Sequence, residues 1–200
     1  AIFYRTNAQS RIFEDFLRRE NLPYRIIGGL KFYERKEIKD ILAYLKFLVN
    51  PSDTVALHRI INTPARGIGK ASQDRITEIA GRENLPEWVV IRDELMTGRV
   101  PKGLEDFRKI IVKLMKMMET VPGELTLSQF MKGVIDITGY RESLREENTL
   151  ESNSRLDNLD ELLNSIYDYE QTFPDATPAN FMQDISLYTS EENPSDDPEA

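Results

Sequence analysis

The chain has 200 residues, 40% of them hydrophobic and 30% charged, with a formal net charge of −8, which is ordinary for a globular protein. It contains no cysteine, which excludes disulfides and thiolate zinc sites, and its single histidine, His58, argues against a metal site or a histidine-based triad. No apolar run approaches the length of a membrane span, so we expect no membrane contact.

The first 30 residues read as a small β-α-β unit. Residues 1–4 and Tyr24–Ile27 are predicted to be short buried strands, and the second is expected to end at the two glycines that follow it. The apolar spacing of Ile12, Phe13, Phe16 and Leu17 predicts a helix between them.

The remainder reads as helical. An apolar stripe predicts a helix from about Glu34 to the Asn50-Pro51 pair, and Asp53 is expected to cap a short helix that follows. Further helices are predicted up to about Ala80, through Leu104 to Met118, after a Thr126–Gln129 capping box, across Leu156 to Ile166, and from Thr177-Pro178 to about Leu187. The fold class expected is therefore mainly α with a small β-α-β edge. Residues 190–200 are acidic, contain two prolines and are expected to be disordered.

Charge is divided unevenly along the chain. Residues 1–75 carry 14 Lys and Arg against 8 Asp and Glu, whereas residues 76–200 carry 12 against 26. This asymmetry favours a first part that faces a polyanion. Two solvated surfaces of unequal charge are the alternative.

The stretch "PARGIGK" lies between two predicted helices. It is not a phosphate-binding Walker A loop, because Pro64 replaces the first glycine and Ala71 replaces the hydroxyl residue of that pattern. The glycines let backbone N–H groups approach an anion closely, and Arg66 and Lys70 flank them. We predict that Arg66, Gly67, Ile68, Gly69 and Lys70 contact nucleic-acid phosphates; a tight interhelical turn is the alternative.

The stretch "GGLKFYERK" interleaves basic and aromatic residues. Lys31 and Arg35 could pair with phosphates while Phe32 and Tyr33 stack on bases, a pattern that suits a single strand. Phe32 and Tyr33 could equally pack under the following helix.

Four stretches together resemble, in order and spacing, the UvrD/PcrA/Rep family of superfamily 1 DNA helicases, most of all its PcrA branch: "YRTNAQSR", "LPYRIIGGLKFYERKEIKDILAYLKFLVNP", "RIINTPARGIGK" and "SRLDNLDELL". The resemblance implies that residues 1–95 are the first part of the second RecA-like domain, called 2A. Residues 96–188 would be the helical 2B insertion, and residues 189–200 an acidic disordered tail. Because the chain has no Walker A motif and no initiator Met, we expect a piece of a larger enzyme, inactive by itself.

The resemblance also implies residue roles. Arg5 matches the arginine finger that reaches the γ-phosphate, and Tyr4 matches the aromatic that stacks on adenine. ATP and Mg²⁺ would be bound by the missing Walker domain of the same chain, and single-stranded and junction DNA would be the substrates. DNA-repair proteins could dock on the helical insertion, and the location implied is a bacterial cytoplasm. A different class remains open: a non-catalytic helical module that binds DNA or protein and regulates a nucleic-acid machine.

Overall fold

The computed structural model describes residues 1–5, 7–20, 22–24, 26–27 and 29–190. Within them the backbone forms ten α-helices and two short 3-10 turns, at Asn7–Gln9 and Phe32–Glu34. In chain order the helices are α1 Ser10–Arg19, α2 Lys36–Val49, α3 Thr54–Ile60, α4 Lys70–Glu83, α5 Glu87–Arg92, α6 Lys102–Met118, α7 Leu127–Ile137, α8 Tyr140–Glu147, α9 Leu150–Thr172 and α10 Pro178–Ser190. The predicted mainly α fold is confirmed.

Several predicted helix starts are confirmed by their capping bonds. The Asp53 carboxylate accepts a hydrogen bond from the Ala56 N–H at 2.8 Å, which satisfies one of the free donors at the start of α3. Thr126 and Gln129 form the reciprocal pair of a capping box at the start of α7. These local signals fix where the helices begin.

The predicted β-α-β edge is absent from the described residues. Residues 1–5, 22–24 and 26–27 form no strand, and Ile2, Phe3 and Ile27 are exposed rather than buried. A strand needs a neighbour to accept and donate its ladder hydrogen bonds, and a lone pair of short strands is marginal in water. No described segment offers that neighbour. Arg25 and Gly28, part of the second predicted strand and its end, lie outside the described residues.

Helix α2 lies at the centre of the core and packs against α3, α6, α7, α9 and α10. Its apolar residues point in nearly every direction, and Ile38, Ile41, Tyr44 and Phe47 are fully buried. The buried apolar side chains form one cluster that runs from Phe32 to Ile185. Helices on both sides of residue 95 therefore share a core, and the domain boundaries stay a prediction.

Trp88 and His58 both make structural contacts. Trp88 is buried and meets Phe47 edge to face, with ring centroids 5.6 Å apart. His58 pairs with the buried Glu87, whose other oxygen accepts a bond from Thr77. No described helix is both long and apolar enough to cross a membrane. Of the predicted acidic tail, residues 189 and 190 end α10, and residues 191–200 lie outside the described residues.

Candidate nucleic-acid interface

The Asn62 side chain anchors the backbone of the loop between α3 and α4. Asn62 Oδ1 accepts hydrogen bonds from the backbone N–H groups of Arg66, at 2.8 Å, and Ile68, at 3.1 Å. The Ile68 side chain is fully buried in the core, and its carbonyl accepts a bond from the Gln73 side chain at 3.2 Å. One side of the loop is therefore fixed to the body of the protein.

The Arg66 side chain points into the protein. Its guanidinium donates to three backbone carbonyls: Pro64 at 3.0 Å, Ile60 at 3.3 Å and Thr138, at the end of α7, at 2.8 Å. It also lies 5.7 Å from the centre of the Phe107 ring on α6. In this arrangement the N–H donors of Arg66 stabilise the loop on the side that faces the protein interior.

Helix α6 touches the same loop. A Cβ atom added to Gly103 would lie 1.9 Å from the Arg66 carbonyl oxygen, well inside the distance at which atoms collide. Glycine is thus required at this point of α6 because the helix and the loop backbone approach so closely. No motif in the sequence points to Gly103, which directly precedes the predicted Leu104–Met118 helix.

The outward side of the loop is open. Gly67, Gly69 and Lys70 are exposed, and a Cβ atom added to either glycine would meet nothing within 4 Å. The N–H groups of Gly67, Gly69, Lys70 and Ala71 donate to no described residue. Together with the positive end of the α4 dipole, they form a set of free donors suited to a phosphate group.

The two glycines differ in what the backbone requires. Gly67 has a φ of +72°, a left-handed conformation that favours glycine. Gly69 has a φ of −75° and a ψ of 170°, which any residue can adopt. Neither the backbone angles nor the neighbours of Gly69 in the described chain require a glycine there.

The predicted basic–aromatic stretch is mostly internal. Phe32 is fully buried, as the alternative interpretation expects, and Tyr33 packs against it edge to face with centroids 5.1 Å apart. Lys31 is half-buried, with its ammonium 5.8 Å from the centre of the Tyr24 ring. Only part of this stretch is available to a ligand in this structure.

Arg35 is buried and bonded on several sides. It donates to Asn158 Oδ1 on α9 at 2.8 Å and to Ser10 Oγ on α1 at 2.6 Å, and it lies over the Phe32 ring. The Glu14 carboxylate is 3.9 Å from its nearest guanidinium nitrogen. Burial lowers the pKa of the Arg35 guanidinium, and the nearby carboxylates oppose that shift. The Arg35 side chain therefore joins α1, the start of α2 and α9 from a buried position, and its DNA contact stays a prediction.

Tyr4 and Arg5, which the family resemblance implies would contact bound ATP, lie just before α1. Tyr4 is half-buried and Arg5 is exposed, and the Arg5 N–H donates to the Gln9 side chain at 3.0 Å. The Arg5 guanidinium forms no ion pair with any described residue. Among the described residues, no group of three His, Asp or Glu side chains lies close enough to hold a metal ion.

These features describe a helical chain that presents a helix–Gly-x-Gly–helix element and an exposed arginine at a helix entrance. The model of the UvrD-like helicase C-terminal domain matches residues 1–199. The chain therefore belongs to the UvrD-like helicase C-terminal domain family, as the sequence motifs indicate.

Three curated relatives are the ATP-dependent DNA helicases PcrA of Staphylococcus aureus (strain NCTC 8325 / PS 47), Staphylococcus epidermidis and Bacillus subtilis (strain 168). The chain is 40% identical to each, over 192, 192 and 190 residues respectively, and each match covers 94% of this chain. The matched part is 26%, 26% and 25% of those proteins in the same order. The chain thus spans about a quarter of the length of these relatives.

Proposed function

We propose that the chain is one part of an ATP-dependent DNA helicase that moves 3′ to 5′, where it completes the ATP site and contacts the DNA backbone. Membership of the UvrD-like helicase C-terminal family is the observation that carries this proposal. The relatives are named ATP-dependent DNA helicases, which supports the proposal that this chain is part of a helicase. By the family resemblance, such an enzyme would act in bacterial DNA repair and replication and lie in the cytoplasm.

In this proposal Arg5 and Tyr4 act on a nucleotide held mainly by another RecA-like domain of the complete protein. That domain would supply the Walker A lysine and the carboxylates for Mg²⁺, which neutralises charge on the phosphates when bound. Arg5 would stabilise the developing charge on the γ-phosphate, since its planar guanidinium is permanently charged and forks toward phosphoryl oxygens. Its exposure and its lack of an ion-pair partner among the described residues support this role.

The α3–α4 loop would be the DNA-backbone contact. The free N–H groups at Gly67, Gly69 and Lys70 and the Lys70 ammonium would surround a phosphate of single-stranded or junction DNA, with no reading of sequence. Arg66 would contribute by holding the loop in shape, because its donors bond backbone carbonyls. Lys31 is a second, weaker contact in this proposal.

Closure of the cleft around ATP would bring Arg5 and Tyr4 onto the nucleotide, and hydrolysis would let the cleft open again. The α3–α4 loop would hold the DNA backbone during this cycle, so that each cycle advances the enzyme along one strand. This chain by itself would carry the loop without turning over ATP.

The finger assignment is tested in the complete helicase with Arg5→Ala and Arg5→Lys. Both variants should lower the kcat for DNA-stimulated ATP hydrolysis by about 10³-fold or more, because such arginines are worth on the order of 10³–10⁵ in rate. The Kd for DNA should stay unchanged. Arg82→Ala, which removes an exposed arginine from α4, is the matched control. Normal turnover in Arg5→Ala would instead favour a non-catalytic, regulatory role for this chain.

A further inference from the structure

One face of α6 carries a basic groove with an apolar floor. The groove encloses about 720 Å³, within the range of small ligand sites. Arg108, Lys109, Lys113 and Lys116 line it at helical spacing. It runs along the C-terminal two-thirds of α6 and ends at the loop that leads to α7.

The cations of this groove differ in their partners. Arg108 pairs with Glu94 at 2.6 Å and Lys109 with Glu105 at 2.5 Å. Lys113 and Lys116 are exposed and form no ion pair with a described residue. They form a positive surface within the part of the chain where acidic residues outnumber basic ones by 26 to 12. Two adjacent lysines without counter-charges favour an acidic partner.

The floor of the groove favours a protein over a nucleic acid. Val112, Met117 and Leu125 are half-buried and line it, and no aromatic side chain is present among the lining residues for a base to stack on. Methionine is unbranched and polarizable and adapts to apolar side chains of different shape. Glu124, also in the lining, would repel a phosphate backbone.

We propose that this groove docks an acidic segment of a partner protein, with one or two large apolar side chains on the floor and carboxylates at Lys113 and Lys116. The two unpaired lysines lie apart from the α3–α4 loop. Gly103, which touches that loop, and Lys116 are 13 positions apart on α6, roughly 20 Å along the helix axis. Loss of peptide binding and loss of DNA binding can therefore be told apart.

The test uses fluorescence anisotropy with the 200-residue chain and a fluorescein-labelled helical peptide made of leucine on one face and glutamate on the other. The double variant Lys113→Glu with Lys116→Glu should weaken peptide binding about tenfold or more, a factor that corresponds to about 1.4 kcal/mol. Val112→Ser should weaken binding of the same peptide as well. The charge-matched control, Lys39→Glu with Lys132→Glu, alters two exposed lysines outside the groove and should leave binding unchanged.

Three outcomes would overturn the proposal. One is no binding of the peptide by the wild-type chain at low salt. Another is an equal loss in the groove and control variants, which would assign the effect to net charge alone. The third is that the groove variant keeps peptide binding but loses binding of labelled single-stranded oligothymidine, which would assign the groove to nucleic acid. Circular dichroism of each variant verifies that it is folded.

Discussion

The carbonyl oxygen of Arg66 lies against the backbone of Gly103, and a single Cβ atom added there would come within 1.9 Å of it. Two segments 37 positions apart in sequence therefore meet at the point where the α3–α4 loop turns back on itself. The Arg66 guanidinium extends the same junction to α7 through Thr138. The exposed amides of the loop depend on this backing from α6 and α7.

Gly103→Ala should destabilise the protein, because the added methyl group must push α6 away from the loop. We expect a loss of about 1–3 kcal/mol in the free energy of unfolding, measured by urea denaturation. Gly81→Ala is the control, since a Cβ atom at Gly81 in α4 meets nothing within 4 Å. It should be neutral or stabilise by about 0.5–1 kcal/mol. Equal stability of Gly103→Ala and the wild type would contradict the close approach.

Arg66→Lys separates support of the loop from direct contact with phosphate. Lysine keeps the charge but cannot reproduce the planar fork that bonds three carbonyls, so we expect a loss of about 1–3 kcal/mol in stability, close to that of Arg66→Ala. DNA affinity should fall for all sequences alike. The dependence of log Kd on log salt should keep its slope if Arg66 acts through the loop. A slope lower by about one would mean that its charge contacts a phosphate.

Tyr44 contacts the α3–α4 loop, and its ionisation makes the free energy of unfolding depend on pH in alkaline solution. Its hydroxyl donates to the Thr63 carbonyl at 2.6 Å, and burial raises the pKa of Tyr44 to about 12, which Arg66 partly opposes. The folded state thus holds its proton where the unfolded chain, with a tyrosine pKa of about 10, has lost it. The stability that the protonated Tyr44 hydroxyl contributes is complete below about pH 10. Roughly 2 kcal/mol of it is lost as the pH rises toward about 12.

Tyr44→Phe isolates that contribution. At neutral pH it should cost about 0.5–1.5 kcal/mol through the missing hydrogen bond. Between pH 10 and 12 its stability should fall less steeply than that of the wild type, as measured by urea unfolding across that range. Parallel curves for the two proteins would show that the Tyr44 hydroxyl does not titrate in this way.

Arg35→Met tests whether Arg35 is a structural joint. It removes the cation nearest the buried Glu14 carboxylate and the donor to Asn158 Oδ1, so we expect a loss of about 3–5 kcal/mol. Arg82→Met, at an exposed arginine paired with Glu83, should change stability by less than about 1 kcal/mol. At a temperature where Arg35→Met is still folded, its DNA affinity should match the wild type. Weaker DNA binding by a fully folded variant would indicate that Arg35 contacts DNA directly.

What could be predicted from sequence was local. The Asp53 cap, the Thr126 capping box and the Pro178 start each depend on residues within one turn, and the structure has all three. Local signals could not decide whether the strands predicted at residues 1–4 and 24–27 would form. A strand at residues 1–4 depends on a neighbouring strand, and no local signal says whether that neighbour is present.

Site residues show the same limit. The glycines and Lys70 of the α3–α4 loop are exposed, as a phosphate contact requires. Arg66 and Arg35 have the same local signal, a cation beside aromatics or glycines, but their partners lie 72 and 123 positions away, at Thr138 and Asn158. Which cations remain on the surface is decided by those distant partners.

Gly69→Ala tests the DNA-binding loop most directly, because alanine fits the Gly69 backbone and has open space around it. The Kd of the 200-residue chain for a fluorescein-labelled duplex with a 3′ single-stranded tail should be measured at low and moderate salt. The wild type should bind weakly, and more weakly as salt rises, because phosphate contacts release counterions.

In that titration Gly69→Ala should raise the Kd about tenfold or more, since the methyl group stands where the phosphate must approach the amides. Its stability should fall by no more than about 1 kcal/mol, the cost of a poorer helix cap. Gly81→Ala should bind like the wild type. A folded Gly69→Ala chain with unchanged Kd at every salt concentration would contradict the account and leave the loop as an interhelical turn.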